Sequence, residues 1–173
     1  EDRLKGVDSI VSTLKPENEE TGVLIDAMLS YRSLSDYNRM IAFIEKMPAH
    51  VKKTVMVQEQ LGFALNRTGK REEAIEVLEK VIAENGASSE TCGILGRVYK
   101  DLYDKAVSEN NELLAESYLD KAQETYLKGF EADWRDAYPG INAVTLLELK
   151  GEREKIQKLV PVVEFAVLRK MEK

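Results

Sequence analysis

The chain has 173 residues, of which 43% are hydrophobic and 32% are charged, and its formal net charge at pH 7 is −6. The apolar share is ample for a core. The acidic balance argues against a sequence-independent nucleic-acid binder and disfavours an anionic membrane surface, because both partners need surplus Lys and Arg. No apolar run reaches the roughly 18 residues that suggest a membrane span. We therefore expect no nucleic-acid partner and no membrane partner.

The single cysteine, Cys92, excludes a disulfide within the chain and favours a reducing, cytoplasmic location. Cys92 is predicted to be a small buried residue, and the only histidine, His50, to lie in a turn. Zinc sites need clustered Cys and His side chains, so we predict no metal and no cofactor. Because residue 1 is Glu, we expect the chain to be a piece of a longer protein.

Residues 1–20 are predicted to hold a short amphipathic helix, since apolar residues recur near the helical period between Leu4 and Leu14. From Thr21 onward the sequence repeats itself every 34 residues. This period is typical of the tetratricopeptide repeat, a helix–turn–helix unit that stacks on its neighbours into a solenoid. We predict four such units, over residues 21–54, 55–88, 89–136 and 137–160.

The second unit keeps the repeat pattern best. Its Leu61-Gly62-x-x-Leu65 segment returns in the third unit as Leu95-Gly96-x-x-Tyr99. Small residues such as Gly62 and Gly96 are expected where two helices cross, so their role is predicted to be packing. Trp134, near the end of the third unit, is expected either to wedge between the third and fourth units or to anchor a partner. The wedge is favoured, because aromatic side chains bury large areas when they pack.

The third unit departs from the period. Its helix-crossing positions Tyr99 and Ala122 lie 23 residues apart, whereas the equivalent positions of the second unit are only 9 apart. The surplus falls within residues 104–117 and predicts an over-long hairpin whose second helix starts near Glu112. The segment is either a tolerated insertion or a contact element, since insertions in repeats often lie on a binding face.

The fourth unit opens with Ala137-Tyr138-Pro139-Gly140, where Pro139 suits the first turn of a helix. Its second helix is predicted from Glu152 to about Val160, with Pro161 interrupting it. Residues 161–173 are then expected to form a separate apolar helix that begins a further unit. A helix this apolar needs a neighbour, which predicts that the natural protein continues or that this edge packs on a second copy.

Binding residues are expected on the inner face of the first helix of each unit, the face that repeat arrays offer to partners. Side-chain amides there can pair with a peptide backbone, and Arg97 and Lys100 can receive a carboxylate. We predict a solvent-facing peptide- or protein-binding site formed by Arg32, Glu59, Phe63, Asn66, Arg97, Lys100, Asn142 and Thr145. An ordinary polar surface is the alternative for any one of these residues.

No catalytic site is indicated by the sequence. Cys92 and His50 fall in different parts of a repeat, whereas a catalytic Cys–His pair must lie within hydrogen-bond reach. The chain has no glycine-rich phosphate loop, no Gly-x-Ser-x-Gly motif and no kinase signature. We therefore predict that the chain is not an enzyme.

Two stretches carry a more particular pattern. They are Ser30-Tyr31-Arg32 through Asp36-Tyr37 to Met47-Pro48, and Asp136-Ala137-Tyr138-Pro139-Gly140-Ile141-Asn142-Ala143 through Leu146-Leu147. Both resemble the TRAF-binding, repeat-bearing central region of apoptosis signal-regulating kinases and its bacterial relatives. The resemblance implies a regulatory scaffold that recruits other proteins, and no kinase activity comes with this region.

The basic and asparagine residues with which some repeat modules clamp a chaperone's C-terminal carboxylates are not matched. The corresponding inner positions hold Ile25, Leu29, Glu59 and Phe63. Chaperone tails are therefore poor candidate ligands for this chain.

The sequence thus predicts an all-α, right-handed helical-repeat solenoid that binds a peptide or helix of a protein partner in its concave groove. It would act as a non-catalytic scaffold segment of a larger regulatory protein. Two alternatives stay open. One is a self-association module, a homodimer through the apolar C-terminal edge, and the other is a regulatory arm of a multidomain enzyme.

Overall fold

The computed structural model describes residues 2–172, and no described residue lies in a β-strand. Within this range there are ten α-helices: α1 (Asp2–Val11), α2 (Thr21–Ser33), α3 (Tyr37–Lys46), α4 (Ala49–Lys52), α5 (Val55–Arg67), α6 (Arg71–Asn85), α7 (Ser89–Ser108), α8 (Glu112–Ala132), α9 (Ala137–Leu149) and α10 (Arg153–Met171). A 3-10 turn over Pro16–Asn18 lies between α1 and α2. The predicted all-α fold is confirmed.

Helices α2, α5, α7 and α9 begin at the residues where the repeats are predicted to open, which are Thr21, Val55, Ser89 and Ala137. Side chains cap two of these starts. The Ser88 hydroxyl accepts a hydrogen bond from the N–H of Thr91, and the Asp136 carboxylate accepts one from the N–H of Tyr138. Such caps satisfy backbone donors that the first turn of a helix leaves unpaired.

The chain divides into two compact units, Glu1–Val77 and Leu78–Lys173, and the boundary falls inside α6. In unit 1, α3 packs against α2 and α5, while α1 packs on α2. Tyr31 of α2 donates a 2.9 Å hydrogen bond to Asp8 of α1. Burial and this bond raise the pKa of Tyr31 to about 12. The fully buried side chains of unit 1 include Leu24, Met28, Met40, Ile44, Val51 and Val57.

Unit 2 is built on a long hairpin of α7 and α8, with α9 packed on α8 and α10 packed on α9. The hairpin helices have 20 and 21 residues, and the second begins at Glu112, so the predicted over-long hairpin is confirmed. Gly96 allows the two helices to cross closely, because a Cβ at this position would lie 2.9 Å from the ring of buried Tyr126. Cys92 is buried, as predicted, and burial raises the pKa of its thiol.

Helix α10 runs unbroken through Pro161, so the prediction that a helix ends there and a separate one covers residues 161–173 is wrong. A proline inside a helix removes one backbone hydrogen bond and costs on the order of 3 kcal/mol. The helix persists because Leu159, Val163 and Ala166, before and after the proline, are buried. Pro161 itself is exposed, so water can reach the carbonyl that the proline leaves unpaired.

Replacing Pro161 with Ala restores this hydrogen bond and removes the steric clash of the ring. We expect the free energy of unfolding to rise by about 1–3 kcal/mol, measured by urea denaturation followed by circular dichroism. Pro139→Ala is the matched control. Pro139 lies in the first turn of α9, where an N–H has no partner within the helix, so no gain is expected there. An unchanged or lowered stability of Pro161→Ala would contradict this description of α10.

Candidate functional site

Of the predicted site residues of unit 1, Arg32 lies against the ring of Phe63 on α5. Arg32 of α2 donates a 2.7 Å hydrogen bond from Nη1 to Gln60 Oε1, and its guanidinium carbon lies 4.5 Å from the Phe63 centroid. Arg67 stacks on the same ring at 5.1 Å. Tyr37 meets the ring edge-on, with centroids 5.7 Å apart. Guanidinium groups are attracted to an aromatic face, so this cluster ties α2 to α5.

Glu59 and Asn66 are buried, so the prediction that they face solvent is wrong. Helix α5 is packed on more than one side and has seven buried residues. Positions that a one-sided pattern assigns to solvent therefore lie in the interior. Because neither side chain is accessible to a partner, neither belongs to a binding surface. Gln60 is buried beside them, and Arg32 satisfies its amide oxygen, as burial of a polar group requires.

A polar cavity of about 800 Å³ shares two residues with the Phe63 cluster, Tyr37 and Arg67. Its lining also includes Arg3, Asp36 and Asn38. The mixture of both charge signs gives this cavity no strong preference for an anion or a cation. Arg32 and Phe63 thus link α2 to α5, while Tyr37 and Arg67, at the outer side of the cluster, border a recess.

In unit 2, the candidate residues lie on α7 and α9, and the exposed aromatic ring between these helices is Tyr138. The Tyr138 ring lies over Gly93, where a Cβ would come within 3.3 Å of it. Its hydroxyl is 3.5 Å from that of buried Tyr126, and the two rings meet edge-on at 6.0 Å. Burial raises the pKa of Tyr126, and the hydrogen bond with Tyr138 raises it further. Tyr138 remains 46% exposed, so it presents a ring that is fixed on its inner side and open on its outer side.

Arg97 is paired within its own helix. Its Nε donates a 2.8 Å hydrogen bond to Asp101, one turn further along α7. Its charge also interacts electrostatically with the hydroxyls of Tyr126 and Tyr138, which lie within electrostatic range of the guanidinium. Because Asp101 balances its charge, Arg97 suits neutral peptide groups better than the lone carboxylate predicted for it. Lys100 is half-buried on the same helix.

Asn142 and Thr145 continue along α9 but face different surroundings. Asn142 Nδ2 donates a 2.9 Å hydrogen bond to the carbonyl of Tyr138, one turn earlier on α9. Thr145 donates a 2.8 Å hydrogen bond to the carbonyl of Ile141. Both Thr145 and Ile141 line an apolar cavity of about 530 Å³ between α9 and α10. The structure therefore places Asn142 one turn after Tyr138, and Thr145 at the C-terminal edge.

Sequence reasoning missed Tyr138 as a contact residue and Asp101 as the partner of Arg97. The signal for Tyr138 is the pair Gly93 and Gly96, which leave space on α7 for two aromatic rings. The signal for Asp101 is its position four residues after Arg97, the spacing of a helical ion pair.

The predictions for Trp134 and His50 need correction. Trp134 lies against Phe130, with centroids 5.4 Å apart, and is 49% exposed at the α8–α9 turn. It is therefore not the predicted wedge between repeats. His50 is exposed on the one-turn helix α4 rather than in a turn.

Among residues 2–172, no group of three His, Cys, Asp or Glu side chains is arranged to hold a metal ion. Within the same range, no helix combines the length and apolar character needed to cross a bilayer.

Comparison with known proteins identifies the family. The family model of the MAP3K TRAFs-binding domain matches residues 2–172. The chain belongs to this family. Mitogen-activated protein kinase kinase kinase 15 of Mus musculus is 32% identical over 140 residues, which cover 76% of this chain and 10% of the kinase. Mitogen-activated protein kinase kinase kinase 6 of Homo sapiens is 28% identical over 138 residues, covering 75% of this chain and 10% of the kinase. This chain therefore spans about a tenth of the length of these two relatives.

Solved structures support the helical-repeat fold of this family member. A crystal structure of MamA has a TM-score of 0.71 at 20% identity, covering 99% of this chain and 92% of the MamA chain. MamA residues 41 to the end from Desulfovibrio magneticus RS-1 give 0.65 at 18% identity, covering 88% and 78%. At these identities the likeness shows the fold alone. The resemblance to a TRAF-binding repeat region is confirmed by the family match.

The Phe63 cluster gives a stability prediction. Arg32→Met leaves the buried Gln60 oxygen without its donor and removes one cation–π contact, so we expect a loss of about 1–3 kcal/mol in the free energy of unfolding. Arg67→Met is the matched control, because exposed Arg67 stacks on the same ring without a comparable buried bond; we expect less than about 1 kcal/mol. Urea denaturation measures both. A larger loss for Arg67→Met would contradict the role given to Arg32.

Proposed function

We propose that the chain is a non-catalytic protein-interaction module, and that the α7–α9 surface of unit 2 receives a segment of its partner. The observation that carries this proposal is the half-exposed ring of Tyr138, which Gly93 and Tyr126 fix on its inner side. Arg97 lies within electrostatic range of its hydroxyl, and Asn142 follows one turn later on α9. Tyr and Arg are enriched among the residues that dominate binding energy at interfaces. A ring that packing already holds in place also loses little conformational entropy when a partner covers it.

The chemistry of this surface favours a peptide or a helix as the bound segment. The Tyr138 ring offers apolar area for one side chain. The Asn142 amide oxygen can accept, and the Arg97 guanidinium can donate, hydrogen bonds to backbone groups. Because Asp101 balances the charge of Arg97, neutral peptide groups are favoured over an isolated carboxylate.

The family supports a protein partner, since the matching domain is described by its binding of TRAFs. We propose a protein of that class as the first partner to test. The relatives are kinases as whole proteins, and we propose that this chain is a cytoplasmic scaffold segment of a larger regulatory protein. If a neighbouring region of that larger protein carries catalysis, this chain is the regulatory arm of a multidomain enzyme.

Self-association through the C-terminal edge is a second candidate. It is favoured by the apolar α9–α10 cavity and by Phe165, which is 66% exposed on α10. Exposed apolar surface of this kind marks interaction sites. Two copies meeting edge to edge would form a homodimer with the same surface on both sides, and Phe165→Glu would disrupt it by placing a charge there.

Tyr138→Ala tests the proposed surface. Ligands are a recombinant TRAF-family protein and peptides selected from a displayed library against the 173-residue chain. We expect Tyr138→Ala to raise the dissociation constant at least about tenfold, because truncating a central interface aromatic costs roughly 2 kcal/mol or more of binding free energy. Isothermal titration calorimetry measures the affinity.

The matched control for this test is Phe165→Ala, which removes an exposed aromatic ring from α10 instead. All variants are compared at equal helicity. If Tyr138→Ala binds as tightly as the wild type, the placement of the surface is wrong. If neither ligand class binds the wild type, the proposed function itself is contradicted.

A further inference from the structure

The tip of the α7–α8 hairpin, residues 104–117, is both acidic and apolar at its surface. It holds four acidic residues and one lysine, a net charge of −3. The exposed acidic side chains are Asp104, Glu109, Glu112 and Glu116. Leu113 is 80% exposed and Val107 51% exposed. An acidic residue such as Glu112 at the start of α8 interacts favourably with the helix dipole, whereas the exposed area of Leu113 and Val107 is not covered within the chain. The tip therefore has the character of a contact element.

A second surface of unit 2, the basic notch, has the opposite character. It is a cavity of about 510 Å³ lined by Asp133, Arg135, Asp136, Arg169 and Lys170. Arg135 donates hydrogen bonds of 2.7 and 3.0 Å to the Asp133 carboxylate and holds its pKa below the usual range. Asp133 is thereby neutralised, and the lining has a net positive charge. Leu168 and Met171, on the same helix as Arg169 and Lys170, are 52% and 78% exposed.

The hairpin tip and the basic notch lie at opposite ends of α8. The tip includes the first residue of this helix, Glu112, and the notch begins at the residue after its last, Ala132. With a rise of 1.5 Å per residue, the 21 residues of α8 span roughly 30 Å. An acidic projection and a basic recess separated by this helix can meet only between two copies of the chain.

We propose that the hairpin tip of one copy docks into the basic notch of a second copy. Glu112 and Glu116 then face Arg169 and Lys170, while Leu113 covers Leu168. Opposite charges fix the orientation of such an encounter and speed it. The contact joins two different surfaces, so it is head-to-tail and can add further copies.

Charge favours this arrangement over two α10 helices meeting edge to edge. Helix α10 contains five basic and two acidic residues. Its net charge of +3 would repel a second α10 helix, whereas the tip attracts it. The contact area is limited to helix ends, so we expect weak association that is sensitive to salt.

Sedimentation velocity of the 173-residue chain at rising concentration tests the proposal. In low salt, the mass of the wild type is expected to increase past that of a dimer, and in high salt to return toward the monomer. The tip variant Val107→Ser/Leu113→Ser and the notch variant Arg169→Gln/Lys170→Gln are each expected to stay monomeric. Because each keeps one surface intact, an equimolar mixture is expected to form a one-to-one complex that grows no further.

The control variant Ile10→Ser/Val23→Ser removes two exposed aliphatic residues from unit 1 and is expected to associate like the wild type. A wild type that stays monomeric overturns the proposal. So does a mixture of tip and notch variants that forms no complex, or association that only Phe165→Glu abolishes, which would indicate the edge-to-edge homodimer. None of these substitutions touches Tyr138, so failure here is distinguishable from failure of partner binding.

Discussion

The close approach of Tyr126 to the backbone of α7 at Gly96 is the contact on which unit 2 depends. The buried ring occupies the space that any Cβ at Gly96 would need, so α7 and α8 can cross without a gap. From this position the Tyr126 hydroxyl reaches that of Tyr138, whose own ring rests on Gly93. One packed row of two glycines and two tyrosines thus sets where α7, α8 and α9 meet and where an aromatic ring reaches solvent.

Both units contain an aromatic ring and an arginine, but the ring is covered in unit 1 and half exposed in unit 2. In unit 1 the aromatic residue Phe63 is covered by Arg32 and Arg67, and the polar side chains near it are buried. In unit 2 the aromatic residue Tyr138 stays half exposed, and Arg97, within electrostatic range of its hydroxyl, is already paired with Asp101. An aromatic ring that arginine side chains cover stabilises the repeat, whereas an aromatic ring that stays exposed offers contact area to a partner. This contrast is why we propose binding for unit 2.

The repeat period and the break in it could be predicted from the sequence, because both depend on spacing along the chain. The period places the starts of α2, α5, α7 and α9, and the surplus before Ala122 predicts the long hairpin. The continuity of α10 through Pro161 could not be predicted, since packing of buried neighbours outweighs a local helix-breaking preference.

Burial was equally hard to predict wherever a helix is covered on several sides. Glu59 and Asn66 follow the spacing of a solvent-facing stripe, yet α5 is packed around most of its circumference. The exposure of Tyr138 likewise depends on how Gly93 of α7 receives one side of its ring. The burial of these side chains depends on contacts between helices, whereas a sequence pattern indicates only which residues share a face of one helix.

Hydrogen–deuterium exchange with and without a bound protein ligand tests the central claim most directly. The claim is that the partner covers the α7–α9 surface. It predicts slower exchange, on binding, in the peptides that contain Arg97 and Tyr138, with little change in α2 and α5. Slower exchange confined to unit 1 or to the hairpin tip would contradict it.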